Sequence, residues 1–137
     1  MKLNMDCIRE ILLWIEENQK MDCGDDNSLN GNVRGIWSRA IPKFNGYADD
    51  DILYSIKQMV DGRLLDASIH KDNNISKYFI KDITPAGHEF LENIRSDNNW
   101  NKTKSVASEV GSFALSVLTK IASSVIAEGI KKTMGLG

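Results

Sequence analysis

Apolar side chains recur every three or four residues near the start of the chain. Placed at about 100° per residue, Met5, Ile8, Ile11, Leu12 and Ile15 share one face, with Cys7 and Trp14 at its edge and Arg9, Glu10, Glu16 and Glu17 opposite. The pattern predicts a helix over residues 4–18 whose wide apolar arc packs against two neighbours. Asn4 is the expected N-cap, because its side-chain oxygen can take an orphan amide of the first turn. From residue 18 to 32 the chain is dominated by Asn, Asp, Gly and Ser, which ends the helix and reads as a mobile surface loop. Residues 33–37 place β-forming side chains around Gly35, the mark of a short edge strand.

A second helical pattern spans Asp49–Asp61, after the turn signal Asn45-Gly46. Its predicted buried face is Ile52, Leu53, Ile56, Met59 and Val60; Asp50, Tyr54, Gln58 and Asp61 point outward, and Gly62 ends the helix. Two β-rich runs, 64–69 and 76–83, flank the polar turn His70-Lys71-Asp72-Asn73-Asn74 and predict a hairpin, with Tyr78 and Ile80 on one side by the period of two and Ile83 as a further candidate for that side. Thr84-Pro85 starts another helix, a capping hydroxyl followed by Pro at the first helical position. That helix turns Phe90, Leu91 and Ile94 inward and ends near Asp97. Residues 105–132 predict one long helix, with Val110, Ala114, Val117, Leu118, Ile121, Ala122, Val125 and Ile126 on one half and Ser116, Lys120, Ser123, Ser124 and Lys131 on the other. The expected fold class is α+β. It comprises a mostly helical, winged helix-turn-helix-like domain over residues 1–104 with a two-stranded β-hairpin wing, then a long amphipathic helix in residues 105–137.

Several blocks, taken in order, resemble a known family. The run Met5-Asp6-Cys7-Ile8-Arg9-Glu10-Ile11-Leu12-Leu13-Trp14-Ile15-Glu16 is similar to the opening of the uncharacterised, often prophage-borne bacterial proteins grouped as domain of unknown function 2513. Gly46-Tyr47 followed by Ile52, the helix exit at 62–65, Ile83-Thr84-Pro85-Ala86-Gly87-His88-Glu89-Phe90-Leu91 and Trp100-Asn101-Lys102-Thr103-Lys104 resemble it too. The resemblance covers most of residues 1–104 and extends to the small-residue C-terminal helix. It implies a winged-helix fold and bacterial or phage origin, and brings no established activity.

Composition changes this picture in a few ways. At 137 residues the chain is of single-domain length and can bury about two-thirds of its unfolded surface. Hydrophobic residues at 42% and charged ones at 26% exclude a collagen-like or wholly disordered chain. Seventeen basic and nineteen acidic residues leave a formal charge of −2, so the whole molecule is no polycation seeking nucleic acid or anionic lipid. Two cysteines make no disulfide framework. No apolar run of signal-peptide length opens the chain, and the longest membrane-span candidate, 110–119, is closed by Lys120. A reduced cytoplasmic protein is expected.

Candidate chemistry is sparse. No phosphate-binding Gly loop, metalloprotease His pair or nucleophile elbow is present. Cys7, Cys23, His70 and His88 are the residue types of a zinc site, yet their spacings fit no compact ligand pairing and His70 belongs at a wing tip. A Cys7–His88 nucleophilic pair is unsupported, since a buried apolar thiol keeps its proton. The cluster Asp49-Asp50-Asp51 invites a metal or general-acid reading, but acidic residues in a first turn simply complement the positive end of the helix dipole. No catalytic residue, cofactor, metal or small-molecule substrate is expected.

The expected function is therefore non-enzymatic. A winged helix sets one helix into the major groove and its wing beside the backbone. Tyr54, Ser55, Lys57 and Gln58 on the helix and Arg63, His70, Lys71 and Lys77 around the wing are the candidate contacts to double-stranded DNA, and a DNA-binding regulator is the first expectation. The helix Asp49–Asp61 carries four Asp and one Lys, however, and that face repels phosphate. The competing expectation is a protein–protein interaction module, for example a mobile-element protein modulating a host factor. A continuous positive strip through Lys57, Arg63, Lys71 and Lys77 favours DNA; its absence favours a protein partner. Val110, Ala114, Leu118, Ile121 and Val125 form a candidate self-association stripe for a homodimer, with packing inside the chain as the alternative. Lying on a membrane is disfavoured by few large aromatics and only three lysines, Lys120, Lys131 and Lys132.

Overall fold

Asn4 caps the first helix as its residue type predicts: its side-chain oxygen accepts from the Cys7 amide at 3.1 Å, and α1 runs Met5–Asn18. In the computed structural model, which describes residues 1–22, 32–73, 75–112 and 114–135, the α1 residues Cys7, Ile8, Ile11, Leu12 and Ile15 are fully buried. The loop expected over 18–32 lies mostly outside the described residues, as does Cys23. Its two ends pair as short antiparallel strands, β1 (Met21–Asp22) and β2 (Asn32–Val33).

The expected edge strand is β3 (Ile36–Trp37), which pairs antiparallel with β5 (Ile75–Ile83); β5 pairs in turn with β4 (Leu65–Asp72), giving the order β3-β5-β4. The hairpin is longer than the 64–69 and 76–83 pattern. His70 and Lys71 are strand residues rather than turn residues, because β4 continues until Asp72 faces Ile75. The chain then reverses through Asn73, whose φ of 48° is a left-handed conformation that Asn tolerates. A register shift between Asp66 and Ala67 leaves Lys81 as an extra residue, so Ile83 joins Tyr78 and Ile80 on the buried face.

Helix α2 (Asp49–Asp61) buries Ile52, Ser55, Ile56 and Met59. Of its expected inner face, Val60 is half-buried and packs against the core, while Leu53 is displaced and 42% exposed. The buried stripe centres on Ile52, Ile56 and Met59, and Leu53 lies about 100° round from Ile52. After Gly62 the chain turns through Arg63, which takes φ 61°. Thr84 ties this turn to α3 (Pro85–Ile94). Its hydroxyl donates to the Arg63 carbonyl at 2.6 Å and accepts from the Gly87 amide at 3.0 Å. Gly87 has to lack a side chain, because a Cβ there would collide with the Leu64 carbonyl and Ile83. The Thr-Pro-Ala-Gly run is thus a cap, a helix start and a close approach to β4.

The expectation of one helix over 105–132 is corrected. The helix begun at Pro85 stops at Ile94, where Arg9 of α1 donates to the Ile94 and Arg95 carbonyls at 3.0 and 2.6 Å. Ser96 then caps α4 (Asp97–Val110), which ends at Gly111 in the left-handed region with φ 76°, and α5 (Leu115–Thr133) follows. The small-residue composition continues across this break and hides it from a helical wheel. The boundary drawn between 104 and 105 falls inside α4. Leu115, Leu118 and Ala122 of α5 join the same core as α1, α2 and the sheet. Near the base, the Trp100 indole and the Lys104 ammonium both donate to Asp6 Oδ1, at 2.8 and 2.9 Å.

Candidate functional site

The residues proposed from sequence as a ligand face do not form one surface. Tyr54, Lys57 and Gln58 lie on the outer side of α2, but Ser55 is fully buried on its inner side. The Ser55 hydroxyl is set beside the Cys7 thiol, a weak partner, and no hydrogen bond of ordinary geometry satisfies it. Burial pushes the Cys7 thiol pKa up, the opposite of what a nucleophile needs. Lys57 donates to Asp61 one turn on at 2.7 Å, so the lone cation of α2 is neutralised within its own helix.

The remaining candidates divide along the hairpin. Arg63 sits in the α2–β4 turn and Lys71 near the far end of β4, eight positions and about 26 Å apart in extended chain. His70 and Lys77 face each other across the strands. Lys71, next to His70, points to the opposite side of the sheet by strand alternation. Of the four basic residues considered for a positive strip, Lys57 is paired with Asp61, and Arg63 and Lys71 stand at opposite ends of β4.

A different set of side chains does converge, on the outer face of the sheet where it meets α2. The Phe79 ring lies over Gly35, where any Cβ would collide with it. Trp37 packs at 4.9 Å from Phe79 and 5.2 Å, edge-on, from His70, whose Nε2 is 2.9 Å from Ser68 Oγ. The Arg39 guanidinium lies 5.9 Å from the Trp37 ring centre. The Tyr78 amide donates to Ser38 Oγ at 3.2 Å, which fixes the chain after β3 against β5. Between this corner and the first turns of α2 is an open cleft of about 370 Å³. Ile41, Ile52, Leu53 and Ile75 supply its apolar walls, and Arg39, Lys43 and Lys77 supply cations. Asp49 is its acid, 3.3 Å from Lys43.

Of these cleft residues only Lys77 was singled out from sequence as a ligand contact. Trp37, Arg39 and Lys43 lie in a stretch with no helical period, and Leu53 was assigned inward. The signals available were a Trp two residues before an Arg and two cations within a short irregular segment. The candidate self-association stripe is also divided: Leu118 is buried in the chain's own core, Ile121 and Val125 are half-buried, and Val110 and Ala114 are exposed. His88 is exposed on α3. Among the described residues no three His, Cys, Asp or Glu side chains come close enough together to hold a metal ion, and no helix is long and apolar enough to cross a membrane.

Comparison with known proteins agrees with the resemblance seen in the sequence blocks. Residues 2–114 match the family described as Hypothetical protein (DUF2513). A protein of Haemophilus influenzae described as an uncharacterized protein is 27% identical over 129 residues, covering 93% of this chain and 98% of the relative. No solved structure matches the chain. The matched segment runs from the first residues of α1 through α3 and α4 and so takes in every wall of the cleft; the chain belongs to the DUF2513 family of hypothetical proteins.

Proposed function

We propose that the chain is a non-enzymatic winged-helix interaction module of bacterial and prophage type, and that it recognises a protein in preference to duplex DNA. The element order α1, β3, α2, β4–β5 hairpin, α3, with sheet order β3-β5-β4, supports the winged-helix reading. In that reading α2 is the recognition helix and the hairpin the wing. The observation that carries the choice of partner is the charge of α2. Asp49, Asp50 and Asp51 occupy its first turn and Lys57 is held by Asp61. Duplex binding needs several phosphates neutralised together, and this helix repels them. The proposal sets the protein in the cytoplasm, where a free buried thiol such as Cys7 persists.

Affinity capture on the full chain from a lysate of its native host, before and after nuclease treatment, tests this. The expected result is a near-stoichiometric protein that survives nuclease. Recovery of a defined DNA segment, with no nuclease-resistant protein, would overturn the reading.

A further inference from the structure

The cleft between α2 and the sheet joins apolar walls to a mostly cationic rim. Its walls expose large aliphatic side chains, Leu53 at 42% and Ile75 at 60%, which are costly to leave in water. Among the described residues its rim carries Arg39, Lys43 and Lys77 against one acid, Asp49. Lys43 is partly answered by Asp49 at 3.3 Å, while among the described residues no side-chain acid pairs with Arg39 or Lys77. The volume, about 370 Å³, lies at the small end of the roughly 300–1,000 Å³ of ligand pockets, a size for an anchoring side chain rather than a large cofactor.

Resting on the protein-recognition reading, we infer that this cleft binds a short acidic peptide segment of a partner protein. One apolar side chain of the segment would insert between Leu53 and Ile75, and flanking carboxylates would meet Arg39 and Lys77. Charge complementarity selects the sign of the occupant. The form of the positive charge selects peptide over nucleic acid. A peptide offers isolated carboxylates that can avoid Asp49, Asp50 and Asp51, whereas a phosphate backbone presents a charge at every step and cannot. The Trp37 ring, engaged by His70, Phe79 and Arg39, is not a free platform on which a base could stack. The exposed aliphatic pair suits a Leu, Ile or Phe anchor instead.

The test is selection of a displayed library of random twelve-residue peptides on the immobilised full chain, followed by anisotropy titration of the enriched peptides. The expected pool is net acidic with an apolar residue between acids. Arg39→Glu with Lys77→Glu, in a protein with unchanged circular dichroism, should weaken its binding by about tenfold or more. Ile75→Ser, at an exposed position that should not disturb the fold, should also weaken it. A neutral or basic pool, or an acidic pool indifferent to these substitutions, overturns the cleft assignment while leaving protein recognition in place. An empty selection overturns the assignment as well. If short DNA oligonucleotides then bind in a Lys77-dependent manner, the protein-recognition reading falls with it.

Discussion

Lys57 and Asp61 close a 2.7 Å ion pair along the outer side of α2, which sets the one cation of that helix beside a carboxylate of its own last turn. The pair is exposed at both ends, with side chains 55% and 57% accessible, so its value is in cancelling charge rather than in holding the fold. Lys57→Ala should therefore leave the melting temperature within error of wild type and change no ligand affinity. Thermal melts and peptide titrations check both statements.

Ser55 gives a cleaner separation of core from surface. Its buried hydroxyl lacks a partner of ordinary geometry, and an unsatisfied buried polar group costs about 1–3 kcal/mol. Ser55→Ala also suits a helix interior better. The substitution should raise stability in urea unfolding by about 1 kcal/mol and leave all binding unchanged, since the side chain is not offered to any ligand. A loss of binding without a loss of stability would contradict the placement of Ser55.

Gly87 is predicted to tolerate nothing larger. A methyl group there meets the Leu64 carbonyl, which is also the acceptor for the Thr84 amide, so relief requires parting α3 from β4. Gly87→Ala should cost about 1–3 kcal/mol in denaturant unfolding, on the scale of overpacking in a core.

Leu118 tests which way α5 faces. It is 1% exposed within a core shared with α1, α2 and the sheet. Leu118→Ala should lower stability by about 2–5 kcal/mol without altering the mass in solution. Val110→Asp, at a position 60% exposed, should leave the melting temperature unchanged.

Acid should loosen the packing of α1 against α3 and α4. Hydrogen bonds from Arg95 hold the Glu16 carboxyl below its ordinary range, against a smaller upward pull of burial. For Asp6 burial pulls upward, but the hydrogen bonds from Lys104 and Trp100 together with the charges of Lys104 and Arg9 leave it below its ordinary value. A carboxyl whose folded pKa is depressed stabilises the fold above its unfolded pKa of about 4 and loses that contribution as pH falls through the folded value. Wild type should therefore keep this contribution from pH 7 down to about 5 and lose it below about 4. Asp6→Asn with Glu16→Gln should be less stable at neutral pH and decline less on acidification. Unfolding curves across pH 2–7 measure the difference.

Much of the fold was legible because local signals and tertiary structure agree. Asn4 and Thr84 cap the helices they were expected to cap, and the paired β-rich runs form the hairpin. What escaped has physical causes. Gly111 breaks a segment whose small residues keep an apolar period on both sides, so the break carries no signal on a helical wheel. Leu53 is apolar yet exposed, because what it lines is an open cleft rather than the core. The cleft itself joins residues from 37 to 77 through the β3–β5 pairing, a contact between distant segments that no local period announces.

The claim that the partner is a protein is tested most directly by titrating labelled duplex DNA, with DNA from beside the native gene included, at several salt concentrations. Each phosphate neutralised adds about −0.9 to the slope of log affinity against log salt. The prediction is no saturable binding even at about 50 mM salt, where phosphate contacts are strongest. A saturable complex with a slope of roughly −3, flattened by about two units in Lys71→Ala with Lys77→Ala, would contradict the account and restore duplex DNA as the ligand.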